Sequence, residues 1–446
     1  MSGSLIVEGY LEIQCTTPAS ESSIEKVIEL VKKAQEEKSE FQTLTDKWAQ
    51  FFAPLIICIA IIVWVVTSNL YFAITVLVVA CPCALVLSVP TAFMAAIANA
   101  SKHNIWMKSG SSVETIGNID TVMLDKTGTL TTGNLKVSKV ISINSILSEI
   151  DILKIATMLE YYSSHPIAKS LLKSSSEQQI LINHPSSFYT ITGIGVKGII
   201  QDVSYYFGNK TLLELEELKL NSDFEGIGLT RKIIKESELS GKLPIILASQ
   251  SKIIGIITFE DELRKKVLEF ILGLKKLGIN RIGILSGDSK IRSDAVAESL
   301  NIDFIQANLK PEEKYKIILN EIDSNHKVAM IGDGINDAPS LALSTIGIAI
   351  GQGGTALAAS QADIILLDDN ISNLIHAFDL GRRTIRKSKI NIILALILNI
   401  IGIILSLFGI LNPITAALWH VMESLVVVIN STFLLWIKLI KINKSS

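Results

Sequence analysis

Four long apolar stretches stand out from an otherwise mixed pattern of hydrophobic and polar positions. They run from residue 48 to 66, from 71 to 99, from 390 to 411 and from 414 to 437. A transmembrane helix needs about 20 predominantly apolar residues, which each stretch supplies. Only a few polar residues separate the members of each pair. The pattern therefore predicts two transmembrane hairpins, with Pro82 and Pro90 interrupting the second helix of the first hairpin.

Between the two hairpins, short apolar runs alternate with amphipathic helical patterns. This alternation is typical of a parallel sheet covered by helices. Strands are expected at 254–259, 281–285, 304–306, 328–331, 346–350 and 364–367, and the run that ends at Asp125 belongs to the same sheet. A less regular insert carries helices near 146–160 and 166–175 and strands at 188–191, 196–201, 203–207 and 244–249.

The predicted fold class is α/β with transmembrane helices: a doubly wound domain, an inserted α+β domain and two helical hairpins. A soluble first segment precedes them, with a strand around Leu11 and Ile13 and an amphipathic helix from Ser22 to Lys38. The expected domains are 1–45, 46–99 (first hairpin), 100–132 with 252–388 (doubly wound domain), 133–251 (insert), 389–438 (second hairpin) and 439–446 (tail).

Composition supports a membrane protein and gives no sign of a nucleic-acid partner. The chain has 446 residues, a net charge of -2 and a mean hydropathy of +0.44. Near-neutral charge offers nothing to attract a polyanion, whereas the high hydropathy fits membrane helices. Four scattered cysteines are too few for a disulfide framework, and residues 1–9 lack the pattern of a signal peptide. Lys438, Lys441 and Lys444 mark the side of the tail as cytoplasmic.

The first candidate for chemistry is Asp125, which ends an apolar run and is followed by Lys126-Thr127-Gly128-Thr129. Open α/β folds place their chemistry at the carboxyl ends of parallel strands. A carboxylate there can act as a nucleophile toward phosphate. Taken alone, the motif is equally consistent with an ordinary strand end and turn.

A second motif follows the apolar run 328–331 and reads Gly332-Asp333-Gly334-Ile335-Asn336-Asp337-Ala338-Pro339. Two carboxylates and an amide on a glycine-bent loop offer hard oxygen ligands that suit Mg²⁺. Together the two motifs resemble those of the P-type ATPases. The resemblance implies that ATP transiently phosphorylates Asp125, that Asp125, Thr127 and Asp333 hold Mg²⁺, and that Asn336 and Asp337 brace the second loop.

Cys81-Pro82-Cys83 lies within the second apolar stretch. Two thiols that flank a helix-breaking proline can meet one soft metal ion, although buried cysteines are also common as plain apolar residues. The motif and its place resemble the heavy-metal-transporting subfamily of the P-type ATPases. That resemblance makes Cys81 and Cys83 the expected ligands of the transported ion.

His420 and Glu423 are three residues apart in the last apolar stretch and so share a helix face. Ionisable groups inside a membrane are costly and commonly functional, but a helix that starts nearer Leu425 would leave both at the interface. If they are ligands, imidazole and carboxylate favour Zn²⁺, Cd²⁺ or Co²⁺ over Cu⁺. Asn391, Asn399 and Asn430 are expected mainly to form hydrogen bonds between helices.

The resemblance also assigns a nucleotide site to the insert and further residues to phosphoryl transfer. His165-Pro166, Gly193-Ile194-Gly195 and Gly208-Asn209 match the subfamily's nucleotide-binding elements, with Ser164 where the subfamily has Glu. Ser286-Gly287-Asp288 resembles its Thr-Gly-Asp, and Lys314 matches a lysine that neutralises charge on the phosphoryl group.

The resemblance implies further parts that the sequence does not contain. A complete pump of this subfamily has about four more transmembrane helices and an actuator domain with a Thr-Gly-Glu loop. Residues 1–45 resemble only the end of that domain and its exit helix. The expected function is ATP-driven transport of a heavy-metal cation through an aspartyl phosphate, with soluble domains in the cytoplasm. The alternative is a transport-incompetent ATP-binding membrane protein, or a split-pump subunit that needs a second chain.

Overall fold

The computed structural model describes residues 40–143, 147–163, 165–215, 225–249, 252–302, 304–333, 337–351 and 361–439. The strand and helix expected before residue 39 lie outside these ranges. The chain forms two compact units. The first comprises residues 1–123, 265–282 and 311–446, and the second comprises 124–264 and 283–310.

The first unit contains the membrane helices. They are α1 (Glu40–Thr67), α2 (Leu70–Val79), α3 (Cys83–Ser101), α12 (Leu374–Leu407) and α13 (Pro413–Thr432), followed by a 3₁₀ turn at Phe433–Trp436. Among the described residues, three segments are long and apolar enough to cross a membrane: Leu70–Ser101, Ile371–Leu407 and Pro413–Trp436. The apolar part of α1 is shorter, Pro54–Thr67, because the beginning of this helix is polar.

The break between α2 and α3 falls at the predicted proline. Pro82 immediately precedes the first helical residue of α3, where its fixed φ and missing N–H are tolerated. Pro90 lies inside α3 and does not end it. The cysteines therefore lie beside an interruption of the helix within the predicted span.

The second hairpin is held by a cap and by polar contacts between helices. Asn412 begins α13 by accepting hydrogen bonds from the backbone N–H groups of Ile414 and Thr415, at 3.0 and 2.9 Å. Between α12 and α13, the amide of Asn391 donates to Ser431 Oγ at 2.8 Å, and Asn430 donates to Asn391. These contacts satisfy polar groups that lipid cannot.

The first unit also holds most of a largely parallel sheet with the order β1-β13-β12-β11-β2-β9-β10, in which β2 and β9 begin in the first unit and end in the second. The strands are β1 (Ile105–Met107), β2 (Thr121–Asp125), β9 (Arg281–Leu285), β11 (Val328–Gly332), β12 (Ile346–Ile350) and β13 (Ile364–Leu366). β11, β12 and β13 run parallel, while the edge strand β1 is antiparallel. Helices α4 (Gly110–Gly117), α8 (Val267–Lys276), α10 (Pro311–Asp323) and α11 (Ala338–Leu343) belong to the same unit.

The second unit is built on a six-stranded antiparallel sheet with the order β3-β8-β7-β6-β5-β4. Its strands are β3 (Thr131–Ser142), β4 (Ser187–Ile191), β5 (Gly195–Ile200), β6 (Val203–Gly208), β7 (Leu243–Ser249) and β8 (Lys252–Leu263). The unit also contains α5 (Glu149–Leu159), α6 (Pro166–Glu177), α7 (Glu225–Leu239), α9 (Lys290–Leu300) and β10 (Phe304–Gln306), which pairs in parallel with the end of β9.

One strand differs from its predicted place. The run 254–259 is expected in the parallel sheet, but β8 pairs antiparallel with β3 and β7. Seven consecutive residues of β8 are buried, so its apolar pattern matches that of a parallel strand. Periodicity alone does not reveal which partners such a strand chooses.

Two apolar clusters fill the core of the second unit. One joins Leu153, Leu171 and Phe207 with buried strand residues, and so packs α5 and α6 against the sheet. The other joins Leu212 and Ile234 with Ile246, and so packs α7 and the turn after β6. Helices thus cover the antiparallel sheet and leave the ends of β4, β5 and β6 to shape a cavity.

Candidate functional site

Asp125 is the last residue of β2 and is only 5% exposed. The loop Lys126–Leu130 that follows it turns sharply at Gly128, where φ is 77°. Side chains other than glycine rarely adopt this conformation, so the glycine of the motif has a backbone role. The turn leaves Thr127 exposed.

The loop is held in shape by residues that sequence reasoning missed. Thr131 Oγ1 donates to Asp261 at 2.6 Å, and the backbone N–H of Gly128 donates to Thr131 Oγ1 at 3.2 Å. Arg264 donates to the carbonyl oxygen of Gly128 at 2.8 Å. These partners lie 130 and 136 positions away in the sequence, so no local signal identified them.

Lys126 is the first residue of this loop and forms an ion pair with Asp288. The pKa of Lys126 is lowered to about 8, mainly by burial and also by the charge of Arg292, against the opposing effect of Asp261 and Asp125. Arg292 also contacts Asp288, at 3.4 Å. The second unit therefore brings together two of the predicted catalytic residues, Lys126 and Asp288.

The loop of Ser286, Gly287 and Asp288 is ordered by its own hydrogen bonds. The backbone N–H of Asp288 donates to Ser286 Oγ at 3.1 Å, and the N–H of Leu309 donates to the carbonyl of Ser286 at 3.0 Å. Ser286 is 1% exposed. A hydroxyl and backbone N–H groups fixed in this way can bind an anionic oxygen.

The first unit contains the remaining predicted catalytic residues. Lys314 on α10 donates to Asp337 at 2.8 Å, and both side chains are buried. Burial raises the pKa of Asp337, against the lowering effect of Lys314. Asp333 directly follows β11 and is half-buried, whereas Gly334, Ile335 and Asn336 lie outside the described residues.

The donors expected for Mg²⁺ have suitable chemistry. Asp125 and Asp333 offer carboxylate oxygens at the ends of strands, and Thr127 offers hydroxyl and carbonyl oxygens. Hard oxygen ligands of this kind are what Mg²⁺ prefers. The residues present therefore fit the ion.

A cavity of about 380 Å³ lies in the second unit, lined by five of the six predicted nucleotide residues: His165, Gly193, Gly195, Gly208 and Asn209. Pro166, the sixth, is the first residue of α6. His165 caps this helix by accepting the N–H of Ile167 at 3.3 Å, and Asn209 donates to the carbonyl of Gly193 at 2.9 Å. Apolar walls with a few polar groups are typical of ligand sites.

Close backbone approach explains two of the glycines. A Cβ on Gly195 would collide with the carbonyl of Phe207 and lie 2.5 Å from Gly208 Cα. A Cβ on Gly208 would lie 2.5 Å from the carbonyl oxygen of Ile194. The two backbones can therefore meet at the cavity only because both positions lack a side chain.

Sequence reasoning also missed Glu160, which lines the same cavity. The residue is 6% exposed, and its Oε2 has no hydrogen-bond partner among the described residues. Burial raises the pKa of Glu160, against the lowering effect of Ser163 and His165. A buried carboxyl oxygen that lines a cavity and lacks a described hydrogen-bond partner indicates a ligand contact. Its position five residues before His165 was the available signal.

In the membrane helices, ligand atoms of Cys81, Cys83 and His420 all lie within 4.8 Å of one another. Thiolate and imidazole ligands suit soft and borderline metal ions. The helix that carries His420 begins at Pro413, which places His420 inside a span rather than before it.

Glu423 lies one turn beyond His420 and is 2% exposed, and both its carboxyl oxygens lack a hydrogen-bond partner among the described residues. The next residue on this face, Val427, packs on Ala84 and Ala395. Glu423 therefore lies on the face of α13 that packs against α12 and against α3, the helix that begins at Cys83. Asn399 also has an oxygen without a described partner, unlike Asn391 and Asn430, which bond to each other.

Comparisons with known proteins indicate the family of the chain. Residues 119–344 match the haloacid dehalogenase-like hydrolase family. A cadmium-transporting ATPase of Staphylococcus aureus is 36% identical over 98% of this chain and 61% of its own length. A zinc-exporting P-type ATPase of Mycobacterium marinum is 34% identical over 93% of this chain and 56% of its own length.

A solved structure extends the agreement to the fold. The crystal structure of a zinc-transporting PIB-type ATPase in its E2.Pi state superposes with a TM-score of 0.76 and 28% identity. The alignment covers 94% of this chain and 68% of that one. This chain spans 61% and 56% of the lengths of the two sequence relatives named above.

Proposed function

Because the chain belongs to the haloacid dehalogenase-like hydrolases and, within them, to the heavy-metal-transporting P-type ATPases, we propose that it uses ATP to move a heavy-metal cation across a membrane. The observation that carries this proposal is the cluster of Cys81, Cys83 and His420 within the membrane helices. The cation is the substrate, and a divalent ion such as Zn²⁺, Cd²⁺ or Co²⁺ fits these ligands better than Cu⁺.

In the proposed reaction, a carboxylate oxygen of Asp125 attacks the γ-phosphorus of ATP. The bond between that phosphorus and the β–γ bridging oxygen breaks, and ADP leaves with the electron pair. The product is an aspartyl phosphate, which water later hydrolyses. The buried strand end and the loop held by Thr131 and Arg264 fix the direction from which Asp125 meets the phosphate.

We assign to the surrounding polar residues the role of stabilising the negative charge that develops on the phosphoryl group. Lys126, Lys314 and the loop Ser286-Gly287-Asp288 supply cations and N–H donors. Asn336 and Asp337 would support the loop that carries Asp333. Mg²⁺ held by Asp125, Thr127 and Asp333 would neutralise phosphate oxygens when bound.

We assign ATP to the cavity in the second unit. His165, Pro166, Gly193, Gly195, Gly208 and Asn209 would contact the nucleotide, with Glu160 as an additional polar contact. The cavity's apolar walls suit a nucleobase, and the glycines allow the nucleotide to approach the backbone. Ser164, where the subfamily has Glu, lies outside the described residues.

Cys81, Cys83, His420 and Glu423 would bind the transported ion between the hairpins. A carboxylate without a protein partner is costly in a membrane, and a divalent cation would remove that cost. The soluble parts would lie in the cytoplasm. A second chain that supplies an actuator domain and further helices is the proposed partner if this chain does not turn over alone.

The test is cadmium binding by the reduced, full-length chain in detergent. Binding is measured through the thiolate-to-metal absorption of the bound Cd²⁺. We expect one ion per chain, with the absorption lost in Cys83→Ser and the affinity lowered in Glu423→Gln. The matched control is Cys58→Ser, because Cys58 is an exposed free cysteine in α1. Equal cadmium absorption in Cys83→Ser and Cys58→Ser would overturn the assignment of the ligands.

A further inference from the structure

A second pocket in the first unit is basic on one side and apolar on the other. Its volume is about 340 Å³. We call it the basic pocket. It is lined by Arg383, Arg386, Lys387, Ile390, Phe433, Leu434 and Ile437. The three cations lie within five positions of α12, and the apolar residues come mostly from the turn after α13.

The basic pocket lies where the membrane helices meet the polar phase. Ile390 is the first residue of the apolar run of α12, so the three cations lie immediately outside it. Lys387 donates to Asn430 at 2.7 Å, which puts the end of α13 at the same depth. Trp436, which is 65% exposed, and Lys438 follow at once, as expected of residues at a membrane interface.

The walls of the basic pocket are fixed by contacts outside it. Asn99 on α3 donates to the carbonyls of Leu434 and Ile437, at 2.8 and 3.0 Å. Leu434 is 2% exposed and packs on Ala92 and Ala95. The pocket is therefore formed before any ligand arrives, which lowers the entropy cost of binding.

The charges of the basic pocket are only partly neutralised. Arg383 pairs with Asp379 at 2.6 Å. Lys387 contacts the neutral Asn430 and lies 5.6 Å from the centre of the Phe433 ring. Arg386 is exposed and has no ion pair with any residue in the described part of the chain. Arg386 and Lys387 thus remain available to bind an anion beside the apolar residues of the pocket.

We propose that the basic pocket binds the headgroup of an anionic phospholipid from the cytoplasmic leaflet. The phosphate would lie between Arg386 and Lys387, where guanidinium geometry suits phosphate oxygens. An acyl chain would pass over Ile390 and Ile437, an apolar contact that free phosphate cannot use. Basic pockets between membrane helices on the cytoplasmic side bind such headgroups by this combination.

The lipid would join the first half of α12 to the turn after α13. Arg382, the neighbour of these cations, is already used within the protein, since it donates to the carbonyls of Leu277 and Ile119. It therefore does not compete for the lipid. The proposal goes beyond ATP-driven transport and needs neither ATP nor a metal ion.

The test is native mass spectrometry of the full-length chain in neutral detergent, titrated with short-chain phosphatidylglycerol. Phosphatidylcholine of the same chain length is the neutral comparison. We expect saturable binding of one phosphatidylglycerol, about fivefold weaker in Arg386→Gln and about twentyfold weaker when Lys387→Gln is added, on the basis of the electrostatic contribution of each cation near a membrane. Arg386→Lys should bind more tightly than Arg386→Gln but less tightly than the wild type, because the charge remains while the planar guanidinium is lost.

The matched control is Lys389→Gln, since Lys389 is an exposed cation on the same helix that does not line the pocket. Equal affinities in Arg386→Gln and Lys389→Gln would overturn the proposal. Glycerophosphate that displaces the lipid at equal concentration would also overturn it, by showing a site for free phosphate. If Arg386→Gln fails to fold, Lys387→Gln alone should still weaken binding about fivefold, and equal affinities in Lys387→Gln and Lys389→Gln would then overturn the proposal.

Discussion

Single residues in this chain are placed by partners that are distant in the sequence. The loop after Asp125 depends on Arg264, 136 positions from Gly128, and on Asp261, 130 positions from Thr131. Motif reasoning selected Lys126, Asp288, Lys314 and Asp337 as site residues, but gave neither the Lys126–Asp288 pair nor the Lys314–Asp337 pair. Buried pairs of this kind are sensitive to the loss of one partner, because the other charge is left without compensation.

Lys314→Met should destabilise the first unit strongly. Asp337 would remain buried without its cation, which typically costs about 3–5 kcal/mol. We expect the purified chain to unfold at a lower temperature, as measured by its intrinsic fluorescence during heating. The control is Lys316→Met, two residues away on the exposed face of α10, which should change the temperature little. Recovery in Lys314→Met/Asp337→Leu would assign the loss to the unpaired carboxylate.

Glu160→Gln should raise stability while lowering nucleotide affinity. Burial raises the pKa of Glu160, so the folded state binds its proton more tightly than the unfolded state does. The stability of the wild type therefore falls as the pH rises from the unfolded pKa through the folded pKa. The variant should gain stability over the wild type at pH 7 but not at pH 4, and should bind ATP less tightly. Glu177→Gln, on an exposed position of α6, should do neither.

At the scale of elements, the sequence predicted most segments and missed the partners of a few. The strands Arg281–Leu285, Phe304–Gln306 and Ile346–Ile350 have their predicted bounds. Their apolar runs end at polar or glycine-containing turns, which are local signals. The antiparallel pairing of β1 and the membership of β8 in the other sheet were not predictable, because strand partners depend on tertiary packing.

The tight approach of α12 to α2 and α13 gives a prediction at this scale. A Cβ on Gly402 would collide with Val79 and lie 2.8 Å from Trp419 Nε1, which donates to Leu398 at 3.2 Å. Gly402→Ala should therefore cost roughly 1–3 kcal/mol through overpacking. We expect a lower unfolding temperature in detergent and weaker cadmium binding, because Trp419 adjoins His420.

The control for this helix contact is Ile400→Ala. Ile400 lies two residues away on α12 and is 56% exposed. Removing its side chain should leave both the unfolding temperature and cadmium binding nearly unchanged. If Ile400→Ala and Gly402→Ala lowered the unfolding temperature equally, close packing at Gly402 would not be the cause.

At the scale of the whole molecule, the chain carries two proposed sites, one for a metal ion in the membrane helices and one for phosphoryl transfer. Both were predicted from motifs: the Cys-Pro-Cys segment, and the loops after Asp125 and Ile331. It could not identify Glu160 or the basic pocket, because these depend on which side chains surround a cavity. The proposed use of ATP depends on Asp125.

The most direct test is phosphorylation of the full-length chain in detergent with γ-labelled ATP, with and without Zn²⁺, Cd²⁺, Co²⁺ or Cu⁺. The controls are Asp125→Asn and Asp120→Asn, the latter at an exposed aspartate just before the same strand. Label that persists without turnover would favour a chain that needs a partner for hydrolysis. The account predicts an acid-stable, hydroxylamine-sensitive label that requires one of the divalent metals, is lost in Asp125→Asn and is kept in Asp120→Asn. No label with any metal, or equal label in Asp125→Asn, would contradict it.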